Sequence, residues 1–233
     1  RLGVAAEKML RKFGVGVRLE TPRVPYKETI TTSTNAEYKH KKQTGGHGQY
    51  GHVLLELEPL PRGSASEFAS KVVGGSIPRN YIPAVEKGVN EALQGGVLAG
   101  YPVVDIKTTV YDGSFHPVDS SEICFKIAGA GAFKKGLSQG QPILIEPIMN
   151  IKVTVPESLT GDIIGDLNAK RARVQGMNPQ GDVNVIEAQV PLAEILRYAI
   201  DLKSMTQGRG SYTVEFNHYE ETPPHIAQKI IAE

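Results

Sequence analysis

The sequence predicts an α+β fold made of two complete units and a remnant of a third. Segments rich in β-branched and aromatic residues with a period of two alternate with amphipathic segments of helical period. The last third of the chain gives the order βαββαβ, a recurrent split βαβ unit. The chain has 233 residues, enough for one or two domains that each bury a core.

Residues 1–22 begin with a predicted amphipathic helix that ends at Gly14, followed by the short alternating strand "VGVRLE". These residues are half of a unit and would bury little apolar surface by themselves. The first residue is Arg1 rather than Met, so we expect a portion of a longer protein.

Residues 23–147 form the second predicted unit. The segments "VPYKETITTST" and "YGHVLLELEPL" are typical of strands, and "KHKKQTGGHGQYG" lies between them at the end of a long hairpin. A helix follows over "IPRNYIPAVEKGVNEALQGG", with Pro83 near its start. The strand "YPVVDIKTTVYDGSF", the helix "SEICFKIAGAGAFKKGL", weakened by Gly129 and Gly131, and the buried strand "PILIEPI" complete the unit.

Residues 148–233 form the third predicted unit. The strand "MNIKVTVP" precedes the helix "ESLTGDIIGDLNAKRAR", and the strands "VQGM" and "DVNVIEAQVP" come next. The helix "LAEILRYAIDLKSMT" and the strand "GSYTVEFNHYE" complete a ferredoxin-like βαββαβ unit, and "TPPHIAQKIIAE" adds a terminal helix.

Composition limits the classes of function. The formal net charge is +1, so attraction for nucleic acid has to come from local clusters. The single cysteine, Cys124, excludes a disulfide framework and indicates a reducing, cytoplasmic compartment. No apolar run is long enough to span a bilayer, and no secretory signal is present.

Enzyme motifs are weak. The sequence contains no GxxxxGK[ST] loop, and the "GAGAF" segment lies inside a predicted helix. The segment "HPVDSSE" carries the residue types of a hydrolase triad in His116, Asp119, Ser120 and Ser121. The alternative is that Asp119 or Ser120 caps the next helix. Metal-ligand spacing is absent, and Cys124 is expected to pack as a small apolar residue.

The hairpin end has the chemistry of an RNA contact. Its lysines neutralise phosphates, its glycines permit positive φ and close approach, and its polar side chains hydrogen-bond to ribose or base edges. The candidate residues are Lys39, Lys41, Lys42, Gln43, Gly45, Gly46, His47, Gly48 and Gln49. The alternative is a solvated hairpin end whose lysines prevent pairing at the sheet edge.

Two weaker clusters lie in the third unit. Lys170, Arg171 and Arg173 are placed near the end of a helix, where favourable interaction with the helix dipole is the alternative to RNA binding. The turn "SMTQGRGSY" offers the polar donors Gln207 and Arg209, with Lys203 beside it.

The blocks "PYKETI", "KQTGGHGQYGHV", "GYPVVDIKTTVYDGSFHPVDSSE", "GDIIGDLNAKRARV" and "VPLAEILRYAIDLKSMTQGRGSYTVEF" resemble the carboxy-terminal part of bacterial elongation factor G. The resemblance covers nearly every residue. It implies that residues 1–22 end domain III, that 23–147 form domain IV and that 148–233 form domain V. Domain IV would have a ribosomal protein S5 domain 2-like fold with a left-handed βαβ crossover, and domain V would be ferredoxin-like.

The resemblance also implies a function. In the family, domain IV is an arm whose tip enters the decoding region of the ribosome and follows transfer RNA during translocation. The implied partners are ribosomal RNA and proteins, tRNA and mRNA, with no membrane and with the protein as a monomer. GTP and Mg²⁺ would belong to an upstream domain, so this part would be neither a GTPase nor a binder of cofactors. His116 matches the position that carries diphthamide in the eukaryotic counterpart and would lie beside the first tip loop, unmodified.

The chain also departs from the family. His47 stands where arginine is commoner, which exchanges a fixed charge for a titratable one, and Lys203 replaces an arginine. One alternative is a related translational GTPase, either a paralogue or one that acts in ribosome recycling or in ribosomal protection. The other is a stand-alone hydrolase using His116 and Asp119.

Overall fold

The structure, a computed structural model, describes residues 23–43 and 45–233. These residues form two sheets, one of four strands and one of five. We call residues 34–139 the four-stranded unit, and residues 27–30 together with 142–232 the five-stranded unit. The helix and strand predicted within residues 1–22 lie outside the described residues. The predicted α+β class is confirmed.

The first strand, β1 (Lys27–Ile30), belongs to the five-stranded sheet. The four-stranded unit follows, and its strands and helices are β2 (Thr34–Lys42), β3 (Gln49–Pro59), β4 (Glu67–Ser70), α1 (Ile82–Ala92), β5 (Ile106–Ser114) and α2 (Glu122–Gln139). Its sheet order is β2-β3-β5-β4, in which only β4 and β5 are parallel. Helix α1 connects these two parallel strands, and the left-handedness expected of this crossover stays a prediction.

The core of this unit explains its helices and strands. Val53, Leu55 and Leu57 alternate along β3 and are fully buried, as the period-two pattern predicts. Close contact between α1 and α2 depends on glycine, because a Cβ atom at Gly88 would lie 2.0 Å from the carbonyl oxygen of Lys126. Gly129 is also tightly packed, since a Cβ atom there would lie 2.7 Å from the carbonyl oxygen of Val85. Glycines that lower helix propensity therefore allow this helix pair to pack closely.

Two features of the four-stranded unit differ from the prediction. The strand predicted over residues 24–34 is divided, since the chain bends at residues 31–33 and passes from β1 in one sheet to β2 in the other. Strand β2 then runs through the lysines to Lys42. Strand β4 is absent from the sequence prediction, because "EFAS" contains too few β-branched or aromatic residues to stand out from the loop around it.

The five-stranded unit contains the predicted βαββαβ order. It consists of β6 (Pro142–Pro156), α3 (Thr160–Ala169), β7 (Arg173–Gln180), β8 (Val183–Pro191), α4 (Tyr198–Thr206) and β9 (Ser211–Glu221), followed by α5 (Pro224–Ala232). The sheet order is β1-β6-β8-β7, with β9 also paired to β6. Ile151, Val153 and Ile163 are among the buried residues of its core.

Three boundaries differ from those predicted. The border placed between residues 147 and 148 lies inside β6, which continues unbroken because β9 pairs with it from Ile145 to Thr154. The helix predicted over residues 157–173 ends at Ala169, since Arg171 adopts a left-handed φ of 57°. The helix predicted over residues 192–206 begins as the 3-10 turn Leu192–Glu194, and α4 starts only at Tyr198.

Among the described residues, no helix combines the length and the apolar character that crossing a bilayer requires.

Candidate nucleic-acid interface

The first tip loop connects β2 to β3 and lies at the end of their antiparallel pair, where Lys42 faces Gln49. Lys39, Lys41 and Lys42 are exposed. They lie on the strand itself rather than in the loop. Because side chains alternate along a strand and His40 is buried, Lys39 and Lys41 point to one face of the sheet and Lys42 to the other. The remaining polar and glycine positions, Gln43, Gly45, Gly46, His47 and Gln49, are also exposed.

The second tip loop, residues 115–120, follows β5 and is fastened to the first. The Asp119 carboxylate accepts a hydrogen bond from the Gly48 N–H at 3.2 Å, and the Asp119 carbonyl accepts one from the Tyr50 N–H at 3.0 Å. The Ser120 hydroxyl donates to the Tyr50 carbonyl at 2.8 Å. The structure thus brings the two predicted loops together into one tip.

The contact between the two loops requires glycine at position 48, because the loops approach each other too closely there for a side chain. A Cβ atom on Gly48 would lie 2.9 Å from both the Asp119 carboxylate and the Lys42 carbonyl oxygen. Its backbone is not in the left-handed region, so close approach and not a positive φ is the reason for glycine at this position.

His116 is oriented by the main chain of its own loop. Its Nδ1 accepts the N–H groups of Val118 and Asp119, each at 3.2 Å. These two bonds place the ring proton on Nε2, the nitrogen that remains for an outside partner. The side chain is half exposed, and the Asp119 carboxylate lies 3.7 Å from Nδ1. His116 can therefore donate a hydrogen bond outward from the tip.

The hydrolase arrangement considered from the sequence is not assembled at this loop. The Ser120 hydroxyl donates to the Tyr50 carbonyl and accepts from the His116 backbone N–H, so it is bound to main-chain groups rather than to the His116 ring. Ser121, not Asp119 or Ser120, is the N-cap of α2, with its hydroxyl accepting from the Cys124 N–H. Cys124 is buried, as expected.

A polar network that the sequence did not reveal lies behind the tip. The Ser114 hydroxyl contacts the Tyr50 hydroxyl at 2.6 Å and His52 Nδ1 at 2.8 Å, and His52 Nε2 lies 2.9 Å from the Glu37 carboxylate. The hydrogen bond from His52 lowers the pKa of Glu37. The alternation of side chains along β2 and β3 could have indicated this network. Lys39 pairs with His52 in the register of the two strands, so Glu37 lies diagonally opposite His52 on the same face.

Three candidates in the five-stranded unit, Lys170, Arg171 and Arg173, bind carboxylates of the protein. Lys170 Nζ lies 3.0 Å from Asp166 and 3.3 Å from Asp201. Although burial lowers the pKa of Lys170, its bonds to these two carboxylates raise it overall.

Arg171 is held more firmly. Its guanidinium makes a bidentate pair with buried Glu146, at 2.7 and 3.2 Å, and contacts Glu194 at 2.8 Å. Burial opposes the charged form, yet these partners raise the pKa of Arg171. Lys170 and Arg171 thus have internal partners other than the helix dipole, whereas Arg173 is more exposed and pairs with Glu220 on β9.

The third cluster is open to solvent. Lys203, Gln207 and Arg209 are exposed around the end of α4. Gln207 has a left-handed φ of 54° and ends the helix, with the Gly208 N–H bound to the Lys203 carbonyl at 3.0 Å. Of the six candidates in this unit, these three have the side chains most available to a partner.

Comparisons with known proteins identify the relatives of this chain. A family described as elongation factor G, domain IV, matches residues 22–141, and one described as elongation factor G C-terminus matches residues 143–230. An elongation factor G-like protein of Thermotoga maritima is 53% identical over 233 residues, which are 100% of this chain and 34% of that protein. An elongation factor G of Aquifex pyrophilus is 51% identical over 232 residues, 100% of this chain and 33% of its own length.

A solved structure from Thermus thermophilus has a TM-score of 0.86 and 48% identity, covering 99% of this chain and 34% of that one. The chain thus spans about a third of the length of the relatives it matches, at 34% and 33%.

Proposed function

Because the chain belongs to the elongation factor G family, we propose that it is the ribosome-binding carboxy-terminal part of a translation elongation factor. In this proposal the tip of the four-stranded unit enters the decoding region and promotes movement of tRNA and mRNA. GTP and Mg²⁺ would bind to an upstream domain, outside these residues.

The observation that carries the proposal is the joined tip. Asp119 holds the second loop to Gly48 of the first, so both loops present their side chains as one surface. Within residues 23–43 and 45–233, Lys39, Lys41 and Lys42 form no ion pair with a carboxylate. Exposed cations without internal partners are suited to phosphates, whose contacts are sequence-independent and release counterions.

The other tip groups complete an RNA-binding surface. His116 offers an N–H from Nε2, and exposed His47, Gln43 and Gln49 add side chains that hydrogen-bond to ribose hydroxyls or base edges. Apart from its chain neighbours, a Cβ atom on Gly45 would meet no atom of the described residues within 4 Å, so a side chain there would widen the loop and glycine keeps it narrow. A narrow loop with phosphate-binding strands beside it fits a crowded RNA environment.

Lys203, Gln207 and Arg209 would form a second contact with ribosomal RNA or protein. Their exposure at the end of α4 supports this assignment better than the internal ion pairs of Lys170 and Arg171 do.

The test of the tip is the double variant Lys41→Ala/Lys42→Ala in the full-length factor. Ribosome affinity measured over a series of salt concentrations should fall, and its salt dependence should weaken by roughly one unit of log–log slope per lysine. Single-round translocation should slow while GTP hydrolysis stays near the parental rate.

The matched control is Lys134→Ala/Lys135→Ala, which removes the same charge from exposed positions on α2. It should leave the salt slope and the translocation rate close to parental. Equal effects of the two double variants would show that net charge acts without the tip and would refute the proposal.

A further inference from the structure

The two units are joined by two chain segments that lie side by side. The N–H groups of Thr31 and Thr32 both donate to the Gly140 carbonyl, at 3.0 and 3.1 Å, and the Thr31 hydroxyl donates to the Gln141 carbonyl at 3.0 Å. Segment 31–33 leads into β2, and segment 140–141 leads out of α2. Two adjacent connections define a line about which one unit can rotate relative to the other, as in hinged domains.

Strand β1 also contacts the four-stranded unit away from this line. The Thr29 hydroxyl donates to the Val104 carbonyl at 2.7 Å, Ile30 is buried in the core of that unit, and Glu28 makes a larger set of hydrogen bonds. Strand β1 is fixed to the five-stranded sheet by its pairing with β6, in which Glu28 faces Leu144. The Glu28 side chain nevertheless enters the four-stranded unit, where only 2% of the residue is exposed. Glu28 is three residues before the first connecting segment, about 10 Å along an extended strand.

The Glu28 carboxylate is bound by three backbone N–H groups of the loop that follows α1. They are those of Leu98 at 2.8 Å, Ala99 at 3.1 Å and Tyr101 at 2.8 Å. The main chain adds two more bonds, from the Glu28 N–H to Pro102 and from the Val104 N–H to Glu28. A carboxylate that accepts several backbone N–H groups forms strong, directional, charge-assisted bonds.

The backbone of the loop also approaches the carboxylate closely. A Cβ atom on Gly96 would lie 2.2 Å from one Glu28 carboxylate oxygen and 2.9 Å from the other. The bonds and the close fit together fix the position of the loop relative to β1.

We infer that Glu28 is a positioning residue that fixes the angle between the two units, and thereby the place that the tip reaches. The functional half of this inference rests on the proposed function, because an angle matters for translocation only if the tip acts at a defined site. The structural half concerns this chain alone.

The first test measures the angle. Spin labels at Val118→Cys near the tip and Thr213→Cys on β9 report the distance between the units, since both sites are exposed and the one native cysteine is buried. Glu28→Gln puts an NH₂ group against backbone donors, so it loses at least one of the three bonds. We expect the distribution of label distances to widen roughly twofold, as expected when a hinge is released.

A second variant reaches the same contact from the other side. Gly96→Ala leaves β1 unchanged but places a methyl group where the carboxylate lies. It should widen the same distribution. A label pair within the four-stranded unit, at positions 118 and 70, should be unaffected by either change.

The matched control is Asp105→Asn. Asp105 is also 2% exposed, and its carboxylate accepts the N–H groups of Gly63 at 3.1 Å and Ala65 at 3.2 Å. All of these groups lie inside the four-stranded unit. The control should destabilise the unit without widening the distance between units. Unchanged distances in both Glu28→Gln and Gly96→Ala, or equal widening in Asp105→Asn, would overturn the inference.

The second test is made in the full-length factor. Glu28→Gln and Gly96→Ala should each slow single-round translocation on the order of tenfold, because small misplacement of acting groups is costly, while GTP hydrolysis stays near parental. Widened distances with parental translocation would overturn the functional half. If Lys41→Ala/Lys42→Ala also translocated at the parental rate, the proposed function itself would be refuted. If that double variant translocated slowly, only the role of Glu28 would be refuted.

Discussion

At the scale of single residues, Asp119 connects the two tip loops through separate atoms. Its carboxylate binds the Gly48 N–H and its carbonyl binds the Tyr50 N–H. Replacing the side chain therefore removes one of these bonds and leaves the other, because the second is made by the main chain.

Asp119→Ala should speed hydrogen exchange of the Gly48 amide by roughly ten- to a hundredfold, with a smaller change at Tyr50, since a bond to a charged acceptor contributes about 1.5–3 kcal/mol. Amide exchange followed by NMR measures both sites. Asp112→Ala, which removes an exposed carboxylate from β5, should change neither. An unchanged Gly48 amide would show that the carboxylate does not hold the loop.

The sequence identified most tip residues but could not predict how single residues are used. The run of lysines and glycines correctly placed Lys41 and Gly48 at the end of the hairpin, and their contact with RNA stays a prediction. The partner of Arg171 was not readable, because Glu146 lies 25 positions earlier and meets it only after β6 and α3 pack. A basic cluster therefore has the same composition whether its charges face RNA or a buried carboxylate.

At the scale of helices and strands, the packing of α1 on α2 outweighs intrinsic helix propensity. The contacts between glycines and carbonyl groups in this pair leave no space for side chains, since a Cβ at Gly88 would lie 2.0 Å from a backbone oxygen. Propensity alone would favour alanine by about 1 kcal/mol.

Gly88→Ala should lower the free energy of unfolding by about 1–3 kcal/mol, because overpacking forces the helices apart. Gly165→Ala on α3 is the matched control, since a Cβ atom there would have nothing within 4 Å. It should raise the free energy by about 0.5–1 kcal/mol. Denaturant titration of both variants measures whether each change raises or lowers the free energy of unfolding. A Gly88→Ala variant more stable than the parent would contradict the close packing.

The ion pair between Arg173 on β7 and Glu220 on β9 should make stability depend on pH. Burial alone would raise the pKa of Glu220, but hydrogen bonds from Arg173 and His218 lower it below the usual 4.5. A lowered folded-state pKa adds stability that is present above pH 4.5 and is lost as pH falls through the folded value.

The difference in unfolding free energy between the parent and Glu220→Gln should therefore be about 0.5 kcal/mol near neutral pH, as for partly exposed ion pairs. It should shrink in the acid range below the ordinary glutamate pKa. Thermal unfolding over that range measures it, with Glu215→Gln, an exposed carboxylate on β9, as the control. A difference that grew with acidity would contradict the assigned direction.

Sequence patterns predicted long elements better than their ends. The alternation in β3 and the βαββαβ order are both present, because each follows from burial on one face. The division of the first strand was not predictable, since it depends on hydrogen bonds between Thr31 and Gly140, more than a hundred residues apart. Strand β4 is held by its parallel neighbour β5 rather than by its own sequence.

At the scale of the whole molecule, the proposed function requires both the charge and the shape of the tip, and the two requirements can be tested separately. The lysine variants remove charge and leave the outline of the loop almost unchanged. A change of shape without loss of charge is available at Gly45, where an added Cβ atom would meet nothing within 4 Å. A side chain at this position would project outward instead of disturbing the fold.

Gly45→Val should therefore leave the stability of this chain within about 0.5 kcal/mol of the parent, as for surface substitutions. The salt dependence of ribosome binding should also persist, because Lys41 and Lys42 are untouched. Translocation in the full-length factor should slow, since the added bulk lies on the part of the tip that would approach RNA. Rapid-kinetic measurement of single-round translocation and of GTP hydrolysis on the same preparation separates the two steps.

Gly176→Val is the matched control, because Gly176 on β7 is exposed and has equally open space. Parental translocation in Gly45→Val would show that the width of the loop is irrelevant. A joint fall of hydrolysis and translocation would place the tip in docking to the ribosome instead of in the movement of tRNA.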